Sequence, residues 1–308
     1  MKKILILGGT GFIGKKIYQQ LKKKYSIKNL SLSNGNDLRK ENTLKKHLKN
    51  HNYDLIINCA AYIGGLHFIQ KRKADILSNN SKIYLNLYSS LIQLKNRPKI
   101  INLISNCVYP GHHKIQEESK IFDGPIHSSV EALGLTKMLL LKLSYYYSYQ
   151  FNISSLNLVL PGVYGPGDYI DTERSHALNG IIVRMIKLKE SKKYEFEIWG
   201  SGKPKREWIF IDDVAKAVNF YVNNNKFIKN HKILNVGQNK SYSINYIAKE
   251  VRKILKFKGK LINNKVYQDG AIKKQLDNKN FKKIVKRFKF KNFKVGLKKT
   301  INYYKKIL

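Results

Sequence analysis

Residues 3–14 read KILILGGTGFIG, and the fold follows from this stretch. Ile4 to Leu7 form an unbroken apolar run, the pattern of a central parallel strand covered by helices on both faces. Gly8, Gly11 and Gly14 follow at the spacing G-x-x-G-x-x-G and lead into an amphipathic stretch ending near Lys23. Glycines so placed let the backbone turn sharply, approach a pyrophosphate and pack a helix closely on the strand. Unpaired N–H groups at the helix start then hold the anion. Strand, turn and helix in this order predict a dinucleotide site, against the plain alternative of a tight turn without a ligand.

Outward from that stretch, apolar runs alternate with helical periods. Residues 29–33 (NLSLS), 55–58 (LIIN), 100–104 (IINLI) and 153–160 are expected as further strands. Helices are expected from Asp37 to about Asn50, over 74–94 and over 132–147. This rhythm predicts an α/β fold with a doubly wound parallel sheet. Past Pro161 it breaks into a loop over 164–168, a helix over 177–189, a strand over 195–199 and a helix capped by Asp212 and Asp213 that runs to about Val222. Residues 233–236 look like a strand returning to the sheet, and the chain from Ser241 onward reads as helical and lysine-rich. The expected division is a dinucleotide-binding domain of residues 1–162 joined by 207–238, and a smaller C-terminal α/β substrate-binding lobe of residues 163–206 and 239–308. Their cleft is where open α/β folds take ligands.

Composition narrows the partners. The 59 Lys and Arg against 20 Asp and Glu give a net charge of +39, mostly from lysine. Lysine is accompanied by abundant Asn, Ile and Tyr, as in an AT-biased genome, and no aromatic platforms are interleaved with the charges. Solvated lysine faces are therefore favoured over nucleic-acid binding. Cys59 and Cys107 are the two cysteines and have no metal-ligand spacing, which suits a reducing cytoplasm. The chain enters its buried strand at once and has no 18-residue apolar run, so neither a leader nor a membrane span is expected.

The chemistry-bearing residues cluster after the strands. Ser105-Asn106-Cys107-Val108-Tyr109-Pro110 follows the fourth strand directly, and Lys137 lies on the next helix, where its ammonium suits a ribose hydroxyl. The end of the second strand, Ser33-Asn34, carries no acid for ribose hydroxyls, which tilts the choice mildly to NADP(H) and leaves NAD(H) open.

With these motifs the chain resembles the extended short-chain dehydrogenase/reductases that act on nucleotide sugars, and within them the GDP-L-fucose synthase branch. The likeness runs along almost the whole chain. GGTGFIG, Asp37-Leu38, Ala60-Ala61 with Ile63-Gly64-Gly65, and Ala74-Asp75 with Asn80 resemble the cofactor half. Ser105-x-Cys107-x-Tyr109-Pro110 resembles the active site. Ser175-His176 with Arg184, the run Trp199 to Glu207, and Asp269-Gly270 with Lys274 resemble the substrate half. The resemblance implies a Rossmann sheet, a homodimer, and epimerisation and reduction of a GDP-linked 4-keto-6-deoxy sugar in polysaccharide precursor synthesis. It implies Ser105, Cys107, Lys137 and His176 as catalytic residues. It implies a cofactor set of Gly8, Thr10, Gly11, Phe12, Ile13, Gly14, Asp37, Leu38, Ala60, Ala61, Asn80, Lys137, Leu160, Gly162, Val163 and His176. Arg184, Trp199, Arg206, Asp269 and Lys274 are implied for the substrate, the two arginines and the lysine at the diphosphate. Trp199 reads equally well as core or as a face for guanine or sugar.

Two positions depart from the pattern. The superfamily carries a tyrosine one helical turn before the lysine as its proton donor, and Leu133 stands there. Gly162 stands where the branch usually has an asparagine. Leucine transfers no proton, so Ser105, Cys107, His176 or a water is left to do so. An epimerase without net reduction, and a non-catalytic cofactor-binding protein, stay open as alternatives.

Overall fold

The computed structural model describes residues 1–171 and 174–308. In chain order the first half comprises β1 (Lys3–Leu7), α1 (Phe12–Leu21), β2 (Ser26–Leu30), α2 (Glu41–Asn50), β3 (Leu55–Asn58), α3 (Leu66–Lys71), α4 (Lys73–Ile92), β4 (Lys99–Ser105), β5 (Ile115–Gln116), α5 (Glu131–Phe151) and β6 (Ser155–Leu160). The second half comprises β7 (Gly162–Tyr164), α6 (Ala177–Glu190), β8 (Glu195–Trp199), β9 (Lys205–Phe210), α7 (Ile211–Asn223), β10 (His231–Asn235), β11 (Ser241–Ser243), α8 (Ile244–Leu255), β12 (Lys260–Asn264), β13 (Lys273–Leu276), α9 (Lys279–Ile284) and α10 (Phe293–Ile307).

Six strands form one parallel sheet in the order β10-β6-β4-β3-β1-β2. The order reverses between β1 and β3, so the crevice beyond their carboxyl ends is the expected ligand position of a doubly wound sheet. The apolar run of β1 is explained by its two faces. Ile4 and Ile6 pack with Ile17 and Leu21 of α1, whereas Leu5 and Leu7 pack with Tyr84, Leu87 and Leu140 from α4 and α5. A strand covered by helices on both sides has no polar positions to offer.

The glycine turn closes on itself tightly. A Cβ on Gly14 would lie 2.2 Å from the Gly8 carbonyl oxygen, so α1 can start this close to β1 only with glycine there. The expected result for Gly14→Ala is a loss of about 3 kcal/mol or more, seen as a lower Tm, together with loss of dinucleotide binding in calorimetry.

Several boundaries differ from the pattern reading. The second strand is Ser26–Leu30 rather than 29–33. It is an edge strand with only Leu30 buried, and the apolar Leu32 falls in a short helical turn where the Asn34 side chain accepts from Ser31 N–H at 2.8 Å. Residues 37–40 precede α2 instead of opening it, because the Asp37 carboxylate is engaged by Arg39. β6 begins at Ser155, two residues late. Asp212 and Asp213 do not cap α7. They lie in its first turn, where Asp213 accepts from Lys291 N–H at 2.6 Å and ties the segment before α10 to the helix.

The region after Ser241 is less helical than its lysine content suggested. β11 and β13 flank β9 in a second sheet whose other members are β5 and β7, and β12 pairs with β8. The three strands after Ser241, β11, β12 and β13, are three to five residues long, too short to show an alternation. Glu207 on β9 joins the pieces, accepting from Leu276 N–H at 2.6 Å and Asn239 N–H at 2.7 Å. Burial raises its carboxyl to about 7 against these amide bonds.

Candidate active site

A cavity of about 460 Å³ opens at the carboxyl ends of the parallel strands, between that sheet and the segments carrying α6, β8 and β9. Its floor is the glycine turn: Gly8, Gly11, Phe12, Ile13 and Gly14 line it. Gly11 is the N-cap of α1 and no side chain caps that end, so the first amides of the helix have no partner among the described residues. This cradle, shut to any side chain at Gly14, fits a pyrophosphate.

Of the cofactor residues expected from sequence, Ala61, Lys137, Leu160, Gly162, Val163 and His176 also line the cavity. Thr10, Asp37, Leu38, Ala60 and Asn80 do not. Thr10 is exposed and shares a hydrogen bond with Ser33 at 2.7 Å. Asp37 is held by two hydrogen bonds of 2.8 Å from Arg39, whose guanidinium keeps its carboxyl below the usual range. Leu38 and Ala60 are core residues. Asn80, fully buried on α4, accepts from Tyr62 N–H at 2.7 Å and donates to Tyr62 carbonyl at 3.0 Å. It therefore shapes the loop after β3 from behind.

All four expected catalytic residues meet in the cavity. Ser105 ends β4, and its hydroxyl accepts from Cys107 N–H at 3.3 Å, which fixes the turn that presents the Cys107 thiol. His176 precedes α6, and its Nδ1 stands 3.1 Å from both carboxylate oxygens of Asp168. Asp168 also accepts from His176 N–H at 3.1 Å and from Asn179 Nδ2 at 2.6 Å, and the C-terminal helix braces its loop through Tyr304 Oη donating to the Asp168 carbonyl at 3.1 Å. Burial pulls His176 toward the neutral form, but the Asp168 carboxylate outweighs it and raises the imidazole above its ordinary value. Burial likewise opposes ionisation of Asp168, and the His176 charge with the hydrogen bonds outweighs it, so the carboxyl stays below the usual range. Both shifts favour the carboxylate–imidazolium form of the pair, and the ring is a quarter exposed into the cavity.

By sequence Asp168 is a loop residue. Its signal was a rare acid in a Gly-Pro-Gly-Asp turn eight residues before the histidine.

Lys137 is the deepest of the four. Its Nζ donates to Tyr84 Oη at 2.7 Å and to the Leu103 carbonyl at 3.2 Å, leaving one N–H without a partner among the described residues. Burial lowers its pKa to about 8, opposed by Cys59 and Cys107. The Cys59 thiol, also on the cavity wall, is pushed up to about 12 by burial. Tyr84 was not singled out by sequence, since it stands 53 residues before the lysine in the middle of an ordinary buried helix face.

The departures have local reasons. Leu133 is 1% exposed and packs with Phe68, Ile69, Ile76 and Ala132, against Cys107. This apolar wall replaces the phenol. At Gly162 a Cβ would meet the Trp208 ring at 2.7 Å, so the indole occupies the space an asparagine side chain would need.

The opposite wall is cationic. Arg206 donates from Nη1 to the Ala271 carbonyl at 2.6 Å, and the side chain of Lys274, a residue 6% exposed, makes no hydrogen bond or ion pair among the described residues. Burial lowers both and Cys107 opposes; Asp269 also favours the Arg206 cation, whereas Lys274 has Arg206 beside it and no carboxylate partner among the described residues. Asp269 is engaged by Ser201, accepting from its N–H at 2.9 Å and its hydroxyl at 2.5 Å, and so braces the Gly200–Gly202 turn. Trp199 is not core. It is 39% exposed at the rim, stacked on Tyr267 at 5.1 Å with the Arg184 guanidinium 4.4 Å from its ring centroid.

Among proteins of similar sequence, GDP-L-colitose synthase of Yersinia pseudotuberculosis is 29% identical over 307 residues, covering 98% of this chain and 97% of that protein. GDP-L-fucose synthase of Dictyostelium discoideum is 26% identical over 305 residues, covering 98% and 94%. A GDP-6-OMe-4-keto-L-xylo-heptose reductase from C. jejuni shares the fold, with a TM-score of 0.90 at 23% identity over the whole of this chain and 98% of that one. The sequence profile described as "NAD dependent epimerase/dehydratase family" matches residues 4–237, and with the glycine cradle in place the chain belongs to that family.

Proposed function

We propose that the protein is an NADP(H)-dependent reductase of a GDP-linked 4-keto-6-deoxy sugar that also epimerises beside the ketone. The observation that carries this reading is the cavity itself: a bare helix N-terminus on one side, and on the other the half-buried Arg206 beside Lys274, which is buried with no carboxylate partner among the described residues. A sugar linked to a nucleoside diphosphate supplies the missing negative charge, and the Arg184–Trp199–Tyr267 stack offers a face to its base. The named relatives act on GDP-linked sugars, and a fold neighbour from Naegleria fowleri was solved with NADP.

In this reading, residues 1–162 with 207–238 serve the cofactor, and residues 163–206 with 239–308 serve the substrate. Bound in reduced form, the nicotinamide supplies the hydride. Ser105 donates to the ketone oxygen, which acidifies the adjacent C–H. Cys107 is the base that takes that proton, and the His176 imidazolium returns one to the opposite face, so one proton enters the pair and one leaves it. Asp168 keeps the imidazole protonated for this task.

The exposed Leu77 and Leu85 on α4, with Leu135, Tyr145 and Tyr149 on α5, support a homodimer through these helices. No described helix is long and apolar enough to cross a membrane, and we place the enzyme in the cytoplasm, without nucleic acid as a partner.

The test supplies a GDP-4-keto-6-deoxy sugar with NADPH in deuterated water. Loss of the reduced-nicotinamide absorbance together with deuterium at C3 and C5 is expected. Deuterium without coenzyme oxidation would favour the epimerase that Leu133 suggests, and no affinity for either GDP or a pyridine coenzyme would overturn the assignment.

A further inference from the structure

The proton for the new alkoxide has no phenol to come from, because Leu133 closes that position with an apolar wall. The cavity nevertheless holds a tyrosine–lysine pair, built from a different helix. Tyr84 on α4 reaches Lys137 on α5 from behind, its Oη 2.7 Å from Nζ. The Leu103 carbonyl takes a second N–H at 3.2 Å, and the third has no acceptor among the described residues while Lys137 itself lines the cavity. Tyr84 is fully buried and does not line the cavity, so it cannot hand a proton to a ligand there. It can only hold the ammonium.

We propose that Lys137 is the general acid of the reduction, delivering its free Nζ proton to the ketone oxygen, and that Tyr84 is the positioning residue that holds Nζ for it. This rests on the reductase reading above. As hydride reaches the carbonyl carbon, the C=O π pair moves to oxygen, the O–H bond forms, and the N–H bond of Lys137 breaks to leave a neutral amine. Solvent restores that proton after product leaves. The titratable groups facing Nζ are Tyr84 from α4, Cys59 after β3 and Cys107 after β4, with no carboxylate among them. An ammonium without a counter-ion in a buried site parts with its proton near neutral pH, consistent with its lowered value of about 8. In the usual arrangement a phenol spends the proton and the lysine tunes it. Here the tuning contact lies behind the lysine and the acid in front.

The experiment has two arms. In the ligand-free protein, competitive labelling with acetic anhydride across pH, read peptide by peptide by mass spectrometry, gives the titration of Lys137. Its midpoint is expected well below those of the surface lysines. In Tyr84→Phe the ring stays and one acceptor is lost, so the midpoint falls further and labelling at pH 7 rises roughly tenfold. In the reductase assay, kcat/KM of the native enzyme falls above about pH 8 as Lys137 loses its proton. Lys137→Arg keeps the charge but holds its protons too tightly, so coenzyme still binds while reduction drops at least 100-fold and the descending limb disappears. Tyr84→Phe moves that limb to lower pH with KM within about twofold.

An arginine variant that reduces within tenfold of native, or a Tyr84→Phe protein whose labelling midpoint and pH limb both match native, would overturn the proposal. A native protein that reduces no GDP-linked keto sugar would instead overturn the reductase reading, and the acid role with it. The labelling arm still decides whether Tyr84 holds the lysine.

Discussion

Lys274→Met is expected to make the ligand-free protein more stable and the enzyme worse at once. Lys274 is 6% exposed, sits beside Arg206, and has no acid near it among the described residues. An unpaired buried ammonium costs free energy, and methionine fills similar space without charge. A gain of about 1–3 kcal/mol follows, read as a Tm higher by a few degrees. The same change removes a charge-assisted contact to a diphosphate, so the Kd for GDP measured by calorimetry should rise roughly 100-fold. The linkage has a definite sign. The folded lysine titrates below its ordinary value, so the native state binds fewer protons than the unfolded chain in between, and native stability rises as pH climbs through that window. Lys274→Met should lack this rise. A variant that binds GDP as native does would remove Lys274 from the diphosphate site.

The second large effect is expected at Asp168. In Asp168→Asn the imidazole of His176 loses the carboxylate that keeps it protonated, and burial alone then pushes it to the neutral form. Deuterium uptake at C3 and C5 at pH 7.5 should fall about 100- to 1000-fold, since the proton-returning acid is absent from most molecules. Uptake should recover in part as pH is lowered and the imidazole reprotonates. In the native protein the pair stabilises the fold in the window where Asp168 is ionised and His176 protonated. That contribution is lost as pH rises through the raised imidazole value, and lost again as pH falls through the depressed carboxyl value. Circular dichroism and NADPH binding should stay near native in the variant. Uptake within threefold of native would show that the carboxylate does not set the state of His176.

Much of the cavity was legible because its residues sit at chain landmarks. The glycine turn, Ser105 and Cys107 all follow directly on apolar strands, and the carboxyl ends of parallel strands converge whatever fills the loops. Arg184, Trp199, Arg206, Asp269 and Lys274 came by resemblance to other chains, and the structure gathers them around the cavity. What escaped was relational. Tyr84 looks like any buried aromatic of α4 until α5 packs against that helix and brings Lys137 to it. Asp168 looks like a turn residue until the loop folds back on His176. The edge strand β2 was misplaced because half of it faces solvent, and β11 and β13 because three or four residues are too few to show a period.

The sequence by itself determined the doubly wound sheet, the place of the dinucleotide turn and the absence of a phenol at position 133. These are local facts, written in apolar periodicity, glycine spacing and residue identity. Only the tertiary structure decided which groups hold a charge. Protonation depends on burial and on neighbours within a few ångströms, and the neighbours of Lys137, His176 and Lys274 come from elements far apart in the chain.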